Sequence, residues 1–138
     1  MTDEQWRAFV SHGTRTGKLS TVGGDGSPHV VPVWFVLDGD DVVFNTGDTS
    51  VKGRRLLRDG RAALCVDEEQ PPYAFVMLRG SVSISEEPVE LRHWATRIAA
   101  RYVGDARAEE YGARNAVPGE LLVRMRVQQV IGYTGISD

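Results

Sequence analysis

Apolar and polar residues recur along the chain with two periods, and the shorter period dominates. Short apolar or alternating runs are separated by sequences such as Gly-Gly-Asp-Gly-Ser and Gly-Asp, which favour tight turns between antiparallel strands. Six strands are predicted, over Lys18 to Val22, His29 to Leu37, Val42 to Thr46, Ala62 to Asp67, Ala74 to Ile84 and Glu120 to Tyr133. Gly80 is expected to mark a bend or bulge in the fifth of them.

The helical period is found in fewer segments. Thr2 to Gln5 has the residues of a capping box before an amphipathic helix that should stop at Gly13. A short helix follows the third strand, and Ser85 to Val103 is predicted to hold a packed helix. Gly104 to Gly119 is polar, and we expect a loop with one helical turn. Because a parallel sheet would need a helix after nearly every strand, the pattern predicts a mainly β, six-stranded antiparallel barrel with flanking helices.

Composition narrows the class of protein. The 138 residues suit a single domain spanning 1–138, and no apolar run approaches the roughly 18 residues needed to cross a bilayer. The net charge of -3 argues against nucleic acid as a partner. The amino-terminal residues are acidic and polar, which leaves a cytoplasmic location as the default expectation.

Metal and thiol chemistry are not expected from this sequence. His12, His29 and His93 lack the close spacing of metal ligands, so no metal site is predicted. Cys65 is the only cysteine, which excludes an internal disulfide. It lies in an apolar strand, where a thiol is usually inert.

The segment from Asn45 to Arg61 is the strongest candidate site. Hydroxyl side chains precede a short helix that opens with Lys52, so hydroxyls, free backbone amides and positive charge can converge on an anion. The alternative is a solvated basic helix that binds nothing. A cofactor phosphate is the expected occupant, and its candidate ligands are Thr46, Thr49, Ser50, Lys52 and either Arg54 or Arg55.

A second candidate site lies in the second predicted strand. Pro32 in mid-strand must lie at a sheet edge or beside a break, since proline cannot donate to a strand ladder. Unpaired backbone groups there could bind the edge of a planar heterocycle, with Val31, Val33 or Trp34 as an apolar wall. An ordinary edge strand with aromatic core packing is the alternative.

Three stretches carry a family resemblance: LSTVGGDGSPHVVPVWFVLDGDDVVFNT, TSVKGRRLLRDGRAALCVD and YAFVMLRGSVSI. Over about residues 4 to 133, the chain resembles the pyridoxamine 5'-phosphate oxidase-like, FMN-binding split-barrel superfamily. More narrowly, it is similar to actinobacterial members that use the deazaflavin coenzyme F420. The resemblance implies a homodimer of six-stranded split barrels with cofactor sites at the subunit interface. It also implies roles for individual residues: Lys52 and Arg54 on the phosphate with Thr49 and Ser50, Val31 to Trp34 on the ring, and Tyr73 from the facing subunit.

One departure from the family shapes the expected function. The carboxy-terminal Arg-Leu-x-Pro pattern of true pyridoxamine phosphate oxidases is missing, which argues against oxidation of that vitamin. Additional cations at Arg55, Arg58 and Arg61 suit the longer anionic tail of F420. The resemblance therefore implies an oxidoreductase that uses reduced F420 to transfer hydride to a small unsaturated or conjugated substrate. An FMN-dependent enzyme of the same fold and a non-catalytic F420 carrier are the alternatives. No catalytic acid or base is evident, as expected where the cofactor carries the reaction.

Overall fold

The computed structural model describes residues 1–138 and contains one seven-stranded sheet with four helices. The strands are β1 (Gly17–Val22), β2 (Pro28–Val33), β3 (Val36–Asp38), β4 (Asp41–Gly47), β5 (Arg61–Glu68), β6 (Ala74–Ser85) and β7 (Glu120–Tyr133). The helices are α1 (Asp3–Ser11), α2 (Val51–Arg58), α3 (Pro88–Val103) and α4 (Asp105–Asn115). Neighbouring strands are antiparallel in the order β2-β1-β5-β6-β7-β4-β3. The predicted antiparallel barrel is confirmed.

The strand count differs from the prediction because the segment from His29 to Leu37 is two strands. β2 and β3 lie at opposite edges of the sheet, and Trp34 with Phe35 links them directly. The short link brings the two edges together and closes the sheet into a split barrel. Pro32 lies on an edge strand opposite Lys18 of β1, where its missing amide leaves no other strand unpaired.

The inner face of the sheet forms the main core. Its largest fully buried side chains include Phe35, Phe44, Leu64 and Met125. Helix α1 closes the barrel with Trp6 and Val10, which are buried in the same cluster. The predicted capping box is present: the Thr2 hydroxyl accepts from the Gln5 amide at 3.1 Å, and the Thr2 amide donates to the Gln5 side chain at 2.8 Å.

Helix α3 covers the outer face of β4 and β7. Leu91 and Trp94 of α3 pack on Val43 and Leu122, which form a second, smaller core. The helix begins at Pro88, which suits the first turn because its missing amide would be unpaired there. No helix of the structure is long and apolar enough to span a membrane.

Helix α4 corrects the prediction of a loop with one helical turn between Gly104 and Gly119. It runs for 11 residues, in contact with α3. Gly112, which lowers helix propensity, is the contact point: an added Cβ would overlap the Thr96 hydroxyl of α3. Tertiary packing therefore overrides the weak local preference.

The expected irregularity at Gly80 is confirmed. The register of β6 against β7 shifts between Arg79 and Gly80. A Cβ at Gly80 would overlap the carbonyl of Arg126 on β7, so only glycine allows this close approach of the two strands.

Candidate functional site

A cleft of about 220 Å³ joins the two segments singled out in the sequence. It lies between the β2–β3 link, the outer face of β4, the start of α2 and the helices α3 and α4. Its lining residues are Pro32, Val33, Trp34, Asn45, Lys52, Ile98 and Asn115. A larger cavity of about 490 Å³ beside α1 contains none of the predicted site residues. The chemistry of the lining, rather than its size, identifies the cleft as the candidate site.

The loop before α2 is held in shape by two hydroxyl groups. Ser50 caps the helix: its Oγ accepts from the Gly53 amide at 3.0 Å and donates to the Gly47 carbonyl at 2.8 Å. The Thr46 hydroxyl is buried and lies 3.1 Å from Ser50 Oγ. Both hydroxyls therefore already have partners within the loop, and they shape the site.

Other groups at the start of α2 remain available to a ligand. The Lys52 ammonium makes no ion pair or hydrogen bond, and no acceptor from the preceding turn satisfies the Lys52 amide. Thr49 is exposed, and its hydroxyl has no partner in the chain. Because the positive end of the helix dipole also lies here, the first turn of α2 is suited to bind an anion.

Of the three arginines of α2, two are hydrogen-bonded within the chain and one has no partner. Arg54 is exposed and unpaired, although it lies outside the cleft lining. Arg55 donates to the Ser27 carbonyl at 2.9 Å and to the Ser27 hydroxyl at 3.2 Å. Arg58 donates to the Val22 carbonyl. Both engaged arginines thus brace the turn between β1 and β2. Beyond the helix, Arg61 is paired with Asp59, whose pKa it lowers to about 2.

The β2 residues occupy different surroundings. Val31 packs against the main core from the inner face of the sheet, whereas Pro32 is exposed at the cleft. Trp34 stacks on Tyr102 with ring centroids 5.0 Å apart and an angle of 5° between the planes, and it stays 39% exposed. Val33 is buried in the main core but also lines the cleft beside Trp34, and the two residues form its apolar wall.

Tyr73 is not among the residues that line the cleft. It precedes β6, whereas the loop before α2 is at the other end of the sheet, beside the start of β7. Tyr73 has a positive φ of 63° and is 42% exposed. Tyr73 is thus an exposed residue outside the cleft lining of a single chain.

Sequence reasoning missed several cleft residues. Ile98 lies on α3, which was predicted as a packed helix but not as part of a cleft, and Asn115 ends α4, which was not predicted at full length. Asn45 was noted only as the start of the phosphate segment. Its Nδ2 donates to Glu120 Oε1 at 2.7 Å. Burial raises the pKa of Glu120, against the lowering effect of the Asn45 hydrogen bond and the Lys52 charge. This pair depends on strand register, which gives no local signal.

The histidines and the cysteine are placed as follows. No group of three or more His, Cys, Asp or Glu side chains is arranged to hold a metal ion. His93 packs edge-on against Trp94. Cys65 is half-buried on β5, and burial raises the pKa of its thiol, which reduces its reactivity.

Comparison with known proteins identifies the family. A sequence profile described as pyridoxamine 5'-phosphate oxidase matches residues 2–133. The chain belongs to the pyridoxamine 5'-phosphate oxidase family. No functionally curated protein matches the sequence significantly.

Solved structures share the fold of this family member. A conserved hypothetical protein from Mycobacterium tuberculosis superposes with a TM-score of 0.85 and 26% identity, over 99% of this chain and 87% of the other. An F420 reductase superposes with a TM-score of 0.71 and 22% identity, over 90% of this chain and 94% of the other. The heme storage protein HutZ from Vibrio cholerae superposes with a TM-score of 0.73 and 17% identity, over 94% of this chain and 92% of the other. The fold is therefore shared by a reductase and by a storage protein.

The residues present fit a ring-and-phosphate cofactor in part. Lys52 provides an unpaired cation, and Val33 with Trp34 provides an apolar wall. The cleft volume of about 220 Å³ is below the roughly 300–1,000 Å³ of typical ligand pockets. One chain thus supplies both kinds of contact but does not enclose a whole cofactor.

Proposed function

We propose that this chain is an oxidoreductase in which reduced coenzyme F420 transfers hydride to a small unsaturated or conjugated substrate. The observation that carries the proposal is the meeting of Lys52 and Trp34 in one cleft of a chain that belongs to the pyridoxamine 5'-phosphate oxidase family. When bound, the cofactor would supply the hydride chemistry. The proposal includes a cytoplasmic location, as the sequence led us to expect.

The protein residues bind and position the cofactor. Lys52 would pair with the phosphate, assisted by the Thr49 hydroxyl and the free amide at the start of α2. Arg54, which has no partner in the chain, would add charge from the surface. Ser50 and Thr46 would hold the loop in the binding shape through their own hydrogen bonds. Val33 and Trp34 would cover the ring and exclude water from it.

The choice of F420 over FMN rests on likeness to the F420 reductase structure. The additional cations that suited the F420 tail in the sequence do not strengthen it, because Arg55, Arg58 and Arg61 are all hydrogen-bonded within the chain. FMN is the alternative cofactor, since it shares the ribityl-phosphate arm that the Lys52 site would bind. A non-catalytic carrier is the second candidate function. It is favoured by one observation, that a heme storage protein has this fold.

The proposed enzyme is a homodimer with its cofactor sites at the subunit interface. The outer face of β5, the first half of β6 and the second half of β7, which α3 does not cover, carries apolar side chains, among them Met77, Ile131 and the ring pair Phe75 and Tyr133. Tyr133 is 58% exposed. A second copy on this face would bury these side chains, and it would give Tyr73 a route to the partner's cleft. The incomplete cleft of the single chain supports this arrangement.

The cofactor is tested by titrating cofactor-free protein with F420 and with FMN side by side, followed by fluorescence. Lys52→Ala should weaken binding by about 1 to 3 kcal/mol, the usual scale for a charge-assisted hydrogen bond. Arg7→Ala is the matched control, because it removes a positive charge from α1, outside the cleft, and should change affinity little. Equal affinities of the Lys52 variant and the wild type would refute the phosphate site.

Turnover then separates the enzyme from the carrier. Tight F420 binding with substrate-dependent oxidation of reduced F420 supports the reductase. Tight binding without turnover across a panel of conjugated substrates favours the carrier. Tight FMN binding with weak F420 binding assigns the flavin alternative.

The dimer is tested by light scattering at micromolar concentration. Ile131→Asp should convert the dimer to a monomer, because it places a charge within the apolar face. Val89→Asp is the matched control, since Val89 is 76% exposed on α3, away from that face. A monomeric wild-type protein would contradict the interface site.

A further inference from the structure

An amide and a carboxylate meet at the edge of the cleft, on the outer face of β4 and β7. Glu120 lies opposite Gly47 in the strand register, and Asn45 is two residues earlier on the same face of β4. Gly47 has no side chain, so Glu120 can extend diagonally across the strand. Its Oε1 accepts a hydrogen bond from Asn45 Nδ2 at 2.7 Å.

This hydrogen bond fixes which way the Asn45 amide faces. An ionised carboxylate only accepts hydrogen bonds, so the amide must turn its NH2 group toward Glu120. The carbonyl oxygen Oδ1 then faces away from the carboxylate. No donor of the chain bonds to Oδ1. Because Asn45 lines the cleft and Glu120 does not, the free acceptor belongs to the cleft wall.

We infer that Asn45 selects ligands that offer a hydrogen-bond donor to its Oδ1, and that Glu120 is the positioning residue that holds the amide in this orientation. The inference rests on the proposed cofactor site and deepens it. Two parts of an F420 or FMN molecule carry suitable donors: the hydroxyls of the ribityl arm and the ring N–H. The same carbonyl would reject a ligand that places an acceptor there, since neither acceptor carries a proton to donate and both lose their hydrogen bonds to water.

The charges around Glu120 act in opposite directions. Lys52 of α2 favours its ionised form, whereas Asp48, in the loop before α2, disfavours it. Glu86, between β6 and α3, shares with Glu120 a second cavity of about 360 Å³. Glu120 also repels the phosphate that Lys52 would bind. Replacing Glu120 therefore has two effects on affinity, a gain from lost repulsion and a loss from the freed amide.

A double-mutant cycle separates those effects. F420 and FMN are titrated into the wild type, Asn45→Ala, Glu120→Gln and the double variant. Asn45→Ala should weaken binding about three- to tenfold, the scale of one hydrogen bond. The factor by which Glu120→Gln changes the dissociation constant should be at least about threefold higher when Asn45 is present than in the Asn45→Ala background. Additive effects of the two substitutions would overturn the positioning role.

The pH dependence gives a readout that a purely structural role would not change. A protonated Glu120 can donate to Oδ1, so it no longer fixes the amide. With its pKa raised by burial, Glu120 should lose control of Asn45 as the pH falls through that value. The ratio of the Asn45→Ala and wild-type dissociation constants should therefore decrease toward one at low pH. Phosphate ionisation cancels in this ratio. A ratio that stays constant between pH 4 and 8 would contradict the role of Glu120.

Competition with riboflavin and lumiflavin identifies the donor, because lumiflavin has the ring but no ribityl arm. If Asn45→Ala weakens riboflavin alone, the donor is a ribityl hydroxyl; if it weakens both, the donor is the ring N–H. Unchanged affinities of Asn45→Ala for F420 and FMN would refute this inference only. Failure of the wild type to bind either cofactor would refute the proposed function itself. Urea unfolding curves of each variant verify that the fold is intact.

Discussion

Arg101 should be among the most important side chains for stability, although it has no acidic partner. Its guanidinium donates to the carbonyls of Gly13 at 2.9 Å, Phe35 at 2.7 Å and Val10 at 2.7 Å, with a longer bond to Arg15 at 3.3 Å. These carbonyls belong to the end of α1, the following loop and the β2–β3 link. Arg101 thereby joins three segments to α3.

The magnitude follows from the number of bonds. Each hydrogen bond to a charged group contributes about 1.5 to 3 kcal/mol, and three short bonds would give about 4.5 to 9. Burial of the cation opposes this gain and already lowers the pKa of Arg101. We therefore expect Arg101→Met to reduce the free energy of unfolding by about 3 kcal/mol, with the methionine filling part of the space. Arg101→Lys should reduce the free energy of unfolding by about 2 kcal/mol, because one ammonium cannot reach all the carbonyls.

Urea unfolding at pH 7, followed by tryptophan fluorescence, measures both losses. Arg97→Met is the matched control: Arg97 lies one turn earlier on α3, over the Trp94 ring at 5.0 Å, and makes no hydrogen bond. Its loss should stay within about 1 kcal/mol. Equal losses for the Arg101 and Arg97 variants would refute the idea that the carbonyl contacts stabilise the fold.

One further substitution tests the loop before α2, and one reagent tests the thiol of Cys65. Gly53→Ala would ordinarily stabilise a helix by up to about 1 kcal/mol, but here the added Cβ would overlap the Gly47 carbonyl, so we expect a net loss of about 1 to 3 kcal/mol in urea unfolding. A stabilised Gly53→Ala protein would contradict this close approach. Cys65 should react with iodoacetamide more slowly than a free cysteine at pH 8, because burial raises its pKa and leaves less thiolate; a faster reaction would disprove this.

Much of the fold could be predicted because its signals are local. The capping box at Thr2, the bulge at Gly80 and the proline at the start of α3 each depend on a few neighbouring residues, and all three are present. The division of His29 to Leu37 was missed for the opposite reason. Pro32 indicates a sheet edge or a break in that run, but it does not say which, since only closure of the barrel decides where the chain must cross from one edge to the other.

The candidate site shows the same division between local and distant causes. Lys52 and Ser50 could be singled out as candidates because a helix start has a recognisable sequence, although the Ser50 hydroxyl proves to be engaged within the loop. The hydrogen bond between Asn45 and Glu120 spans 75 positions and depends on the register of β4 against β7. Asn115 depends on α4, whose packing through Gly112 has no local counterpart. Sequence patterns thus singled out the candidate anion site and the apolar wall, but not the polar residues Asn45 and Asn115 between them.

The two sides of the cleft differ in how firmly the chain holds them, and this follows from the β2–β3 link. The Tyr102 hydroxyl donates to the Arg15 carbonyl at 2.9 Å and accepts from the Phe35 amide at 3.2 Å, while its ring stacks on Trp34. The residues that close the barrel therefore also fix the apolar wall before any ligand binds. Lys52 has no such partner. A ligand should therefore find a preorganised ring wall and should mainly order the lysine, so that the wall contributes affinity with little loss of side-chain entropy.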